Sequence, residues 1–272
     1  MIKPSSFVAA VAIATVSAVS MSSSALAQAP SGKASAPPPQ LGALAPANLT
    51  KARPKAPFDL TGTWFVDLSA GFDTWRAGPP YPKFKGAAAQ AFVESEQAKK
   101  EGKSYRDWIG QCYPAGMPVI MTRVWPIAMI QLPTAIYMVS GFENALRIIY
   151  LDGRKHTPID EVVRSYNGES IGHWEGDTLV VDTRSMIADK HVIDDGIPVS
   201  DDFRMIERIR LVNGGKTLET EWNLIDPTMW EGEWKSTHRW KRMDDTDITE
   251  VECLPNLNEK LPATSSKGNI LK

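Results

Sequence analysis

From Met117 onward the chain is a succession of short alternating segments, and this repetition limits the possible fold more than any other feature. Candidate strands run over 117–124, 127–132, 134–141, 145–151, 168–175, 178–183, 203–212, 217–225, 234–242 and 248–253, separated by turn signals such as LDGR, EGDT and NGGK. Ahead of them, FDLTGTWFVDL sets Phe58, Leu60, Gly62, Trp64 and Val66 on one face, the pattern of a half-buried strand. Residues 69–84 are rich in Gly and Pro and read as loop. GAAAQAFVESEQAKKEGKS, at 86–104, is made of good helix formers and ends near Gly102. Many short strands after a single early helix predict a mainly β fold, an antiparallel barrel of about 8–10 strands that is closed or nearly so.

The ends of the chain have a different texture. Lys3, an apolar run from Phe7 to Val19 and then Ala25-Leu26-Ala27 follow the plan of a secretory signal peptide over residues 1–27, cleaved before Gln28. The run is too short and too rich in Ala and Ser for a membrane span. Residues 28–57 hold eight Ala, seven Pro and the cations Lys33, Lys51, Arg53 and Lys55 with no acid, which predicts a disordered spacer. The barrel domain is expected over 58–256 and a tail over 257–272. A periplasmic or secreted location follows from the leader.

From Phe58 on, 25 basic residues stand against 32 acidic ones, with no basic patch interleaved with aromatics, so a nucleic-acid partner is not expected. Cys112 and Cys253 are the only cysteines; in an oxidising compartment they either pair or stay as buried thiols. A bridge closing so long a loop contributes roughly 4 kcal/mol.

Period-two alternation assigns faces. In FRMIERIRL, Glu207 shares the apolar face of Phe203, Met205, Ile209 and Leu211. A carboxylate there must be paired, protonated or functional, and Arg147 of ALRIIYLDG is a candidate partner. In WKSTHRWKR, His238 shares the face of Trp234, Ser236 and Trp240, while TLETEWNLI puts Trp222 on a face without charge. In SIGHWEGDTLVVDT, His173, Glu175 and Asp177 share one face opposite Trp174. EGDT reads as a turn that the two acids cap, which leaves His173 as the deeper member. The four histidines have no metal-ligand spacing, and no P-loop, G-x-G-x-x-G or G-x-S-x-G occurs. Neither a metal nor another cofactor is expected.

Gly62-Thr63-Trp64 resembles the G-x-W feature that opens lipocalin-type barrels. CYPAGMP, LRIIYLDGR, SIGHWEGDTLVVDT and SDDFRMIERIR, in that order, resemble successive blocks of a large family of secreted bacterial proteins, mostly of unassigned function. The resemblance covers roughly residues 58 to 256 and implies a lipocalin-like barrel. The chain departs from that pattern at His173, where Arg is usual, and at Val199, where a His before SD is common.

Three classes of function remain open. The first is a cofactor-independent lyase or decarboxylase acting on an aromatic carboxylate, lignin-derived in one version, within the barrel. It resembles the aromatic-acid decarboxylases of lipocalin-like fold. Arg147 or Arg123 would hold the carboxylate, His173 or His238 would act as general acid–base, Glu207 would orient the histidine and Tyr137 would engage a phenol, with Trp222 and Trp240 lining the cup. The second is a non-catalytic periplasmic carrier of a small apolar or aromatic molecule. The third is an envelope protein whose barrel its own side chains fill. A homodimer through a barrel edge is compatible with all three.

Overall fold

The computed structural model describes residues 40–71, 76–103, 108–194, 196–251 and 253. The expected signal segment, residues 28–39 of the spacer and the tail at 257–272 lie outside them. In chain order the strands are β1 (Gly62–Val66), β2 (Lys83–Phe84), β3 (Ile127–Gln131), β4 (Ala135–Ser140), β5 (Leu146–Tyr150), β6 (Glu169–Glu175), β7 (Thr178–Arg184), β8 (Val192–Ile193), β9 (Ile197–Pro198), β10 (Arg204–Val212), β11 (Thr217–Ile225), β12 (Trp230–Glu231) and β13 (Trp234–Met243). Nine of them close a barrel in the order β1-β13-β11-β10-β7-β6-β5-β4-β3, with β3 pairing back onto β1. The mainly β barrel that the alternation predicts is therefore what forms, consistent with the lipocalin-like barrel that the resemblance implies.

One pair departs from the antiparallel expectation: β5 and β6 are parallel, with Ile149 opposite Ser170. The chain between them, residues 151–168, is a long connection rather than a hairpin turn, the kind of connection that parallel pairing requires. Two short ribbons, β2 with β12 and β8 with β9, lie outside the barrel.

Among the described residues three α-helices are present rather than one: α1 (Pro46–Leu49), α2 (Gly86–Lys100) and α3 (Val119–Thr122). Helix α2 is the expected one, and the rings of Tyr81, Phe84, Phe92, Trp230 and Trp234 pack together as part of the apolar core. Helix α3 replaces the strand expected at 117–124. All four of its residues are buried, so the segment is apolar on every side and has no period by which strand and helix can be told apart. It is fastened to the barrel lining: Ser140 Oγ donates to Ile120 O at 3.0 Å, and Trp240 Nε1 donates to Met121 O at 3.0 Å.

The strand expected at 248–253 does not form among the described residues. There Val251 pairs through its backbone with the Asn144 side chain, at 2.9 and 3.0 Å. Next to this clasp, Cys112 and Cys253 are joined in a disulfide. The expectation of a disordered spacer also needs correction from Gln40 on. Ala43 is buried and its carbonyl accepts from Thr134 Oγ1 at 2.7 Å, while buried Asn48 donates to Asp152 Oδ2 at 2.9 Å. These polar anchors, invisible in an Ala/Pro composition, tie the segment down.

Candidate functional site

The inner face of the barrel follows from strand alternation. On β10, Met205, Glu207 and Ile209 are buried; on β5 the buried pair is Arg147 and Ile149. Glu207 and Arg147 meet across the interior and form an ion pair with both carboxylate oxygens engaged. The remaining donors of the guanidinium are used as well. Nε bonds Ser170 Oγ at 3.0 Å, Nη2 bonds Thr183 Oγ1 at 2.9 Å, and Nη1 reaches Met121 Sδ at 3.6 Å. Ser170 and Thr183 bond each other at 2.9 Å. Five N–H groups thus find five acceptors, and the charge pair sits in a satisfied network. Arg147, expected to hold a substrate carboxylate, holds Glu207 instead.

His238 is buried on the inner face of β13, as its alternation indicates. Its Nε2 lies 2.8 Å from Ser236 Oγ, and its ring stacks on Trp222 with centroids 3.9 Å apart. Glu207 and His238 are not bonded to each other. In register Glu207 faces Trp222, whereas His238 faces Thr220, and among the described residues the Glu207 carboxylate is held by Arg147. Trp222 and Trp240 both line the interior, with centroids 6.1 Å apart.

His173 is not the deep residue expected. Its side chain is 62% exposed on the outer wall, where Nε2 bonds Glu175 Oε1 at 3.1 Å. Glu175 in turn accepts from Arg208 at 2.9 Å, and Arg208 together with His173 holds that carboxyl below its usual range. The reason lies in the opposite face of β6: Ser170, Gly172 and Trp174 point inward, and a Cβ on Gly172 would stand 2.8 Å from Leu151 and 3.1 Å from Ile149. Two other residues expected at the site also lie elsewhere. Tyr137 faces outward on β4, opposite Ile130 and Ile148, and Arg123 follows α3 with its guanidinium 5.5 Å from the Phe142 ring. Among the described residues, no group of three or more His, Cys, Asp or Glu is arranged to hold a metal ion.

A second site, which sequence reasoning missed, lies at the barrel end where β3, β5 and β6 finish. Here Trp174 meets Phe58 edge to face at 4.8 Å, and Gln131 pins the approaching strap by accepting from Leu60 N at 3.0 Å and donating to Phe58 O at 2.8 Å. Between this end and residues 49–59 runs a cleft of about 1130 Å³. Its apolar lining includes Leu49, Phe58, Leu132, Leu151 and Trp174; its cations are Lys51, Arg53 and Lys55.

Among the described residues these cations have no carboxylate partners. Arg53 donates to Asn48 O at 2.6 Å, to Lys51 O at 3.1 Å and to Asn48 Oδ1, all uncharged oxygens. Lys51 and Lys55 are exposed and make no ion pair among the described residues. Of the two acids, Asp152 is taken up by Arg154 at 2.6 Å. Burial alone would raise its carboxyl, but the bonds from Arg154 and Asn48 outweigh that and hold it at about 2. Asp59 is left to offset three positive charges, so the cleft is net positive. The unbalanced Lys51, Arg53 and Lys55 were legible in the sequence; the aromatic floor beneath them was not.

The chain matches no protein-family model, and no curated protein matches it significantly.

Proposed function

We propose that this chain is an exported, lipocalin-type binding protein for an apolar small molecule bearing a carboxylate or a similar anionic group, taken up in the cleft at the barrel end. One observation carries the reading: Lys51, Arg53 and Lys55, free of carboxylate partners, stand around a floor that includes Trp174 and Phe58. An aromatic or aliphatic body would cover the floor while its anion met the cations, a division of labour common in small-molecule sites. The leader at 1–27 supports export.

The decisive probe is 1-anilinonaphthalene-8-sulfonate, compared with the uncharged N-phenyl-1-naphthylamine. The anionic dye is expected to bind saturably, more weakly at high salt, and at least tenfold more weakly to the Lys51→Glu/Lys55→Glu variant. The neutral dye should be indifferent to both changes. Equal response of the two dyes would overturn the reading.

A lyase acting on an aromatic carboxylate inside the barrel is the second reading. It is supported by His238, a buried histidine stacked on Trp222 within the barrel. It needs a substrate clamp other than Arg147, whose donors are all engaged. Release of carbon dioxide from aromatic acids, abolished by His238→Ala, would establish it.

A further inference from the structure

Five tryptophans are fully buried, and four of them donate their indole N–H to a backbone carbonyl. Trp64 bonds Leu60 O at 2.9 Å, Trp230 bonds Leu224 O at 3.3 Å, Trp234 bonds Ala77 O at 2.8 Å and Trp240 bonds Met121 O at 3.0 Å. The fifth, Trp222, has no acceptor for its Nε1–H. Two residues away on the same inner face of β11, the Oγ1 of Thr220, a residue with no exposure at all, also has no partner. A buried polar group without a partner is costly and rare in a native interior, and two at successive inward positions of one strand are rarer still.

We infer that β11 presents a second small-ligand site to the barrel interior, distinct from the cleft and independent of it, at which Trp222 Nε1 and Thr220 Oγ1 both donate to one small, uncharged hydrogen-bond acceptor such as a carbonyl compound. The surroundings set the class. His238 faces Thr220 across the ladder and stacks on Trp222, so the wall beside the two donors is aromatic. The acceptor is uncharged because Arg147, the buried cation of the interior, has every N–H engaged, and an anion buried against neutral donors alone is strongly disfavoured. It is small because Trp222, Trp240 and His238 are almost fully buried against their neighbours. Ser236, opposite Trp222, is partly exposed.

Two-dimensional proton–nitrogen spectra of the full chain test this directly. The Trp222 indole signal is identified as the one lost in Trp222→Phe, and 2-butanone and propionate serve as neutral and anionic probes of similar size. The site requires a saturable shift of that signal with 2-butanone in the millimolar range and none with propionate, while the indoles of the other buried tryptophans stay still. Thr220→Val, which keeps shape and removes the hydroxyl, should weaken binding about tenfold, the worth of one hydrogen bond. If Trp222→Phe fails to fold, the Thr220→Val comparison carries the test, with the signal assigned by selective labelling. No saturable shift, a shift unchanged by Thr220→Val, or an indole held by a water that 2-butanone does not displace would each overturn the inference.

Discussion

Arg147 and Glu207, 60 residues apart in sequence, spend their charges on each other at the centre of the barrel, and neither keeps a polar atom free for anything else. Such a pair gains little over apolar packing, because two desolvated charges must first be offset. Removing one member is another matter, since the other is left charged and alone. Glu207→Gln or Arg147→Met is expected to cost about 3–5 kcal/mol. The paired replacement Glu207→Leu with Arg147→Met should recover most of that loss. Urea unfolding midpoints of the three variants check it.

The strap over the cleft hangs on Asp152. Its carboxyl is held at about 2, below the ordinary value, so its contribution is fully present above about pH 4 and is lost as the pH falls toward 2. Asp152→Ala removes the acceptor of both Asn48 and Arg154 and is expected to cost about 1–3 kcal/mol. Cleavage by trypsin after Lys51 or Lys55 should accelerate in the variant before the barrel itself unfolds, which timed proteolysis can show.

His191 adds a second loss of stability on acidification, at a higher pH than Asp152. It is fully buried, with Nδ1 2.9 Å from Ile187 O and Nε2 2.8 Å from Met117 O. Burial pushes its pKa below the usual value near 6.5, and the two carbonyls only partly oppose this. The unfolded chain therefore takes up a proton that the folded chain refuses, and stability falls as pH drops below about 6.5. Comparing urea midpoints at pH 7.5 and 5.5 should show a smaller drop in His191→Gln than in the native chain.

The Cys112–Cys253 bridge joins residues 141 positions apart. Replacing both by Ser is expected to lower stability by about 2–5 kcal/mol. A reducing agent should bring the native protein to the level of the variant and leave the variant unchanged.

How far the sequence anticipates this structure can be judged strand by strand. Glu207 and His238 were legible as inward residues because each shares a face with residues that have no reason to meet water. Alternation states which residues share a face but not which face is inside, and for SIGHWEGDTLVVDT the reading of His173 as deep went to the wrong side. Gly172 was the missing clue, since its Cα packs closely against the inward side chains of Ile149, Leu151 and Leu179. The partnership of Arg147 with Glu207 was a reasonable expectation from charge alone. The cleft was out of reach, because its floor and rim come from segments more than a hundred residues apart, such as Lys51 and Trp174.

The most direct test of the proposed binding function is a crystal structure of the protein soaked with 1-anilinonaphthalene-8-sulfonate. The ring system should lie against Trp174 and Phe58, with the sulfonate facing Lys51, Arg53 or Lys55. A dye found inside the barrel beside His238, with the cleft bare, would contradict it and return the lyase reading to first place.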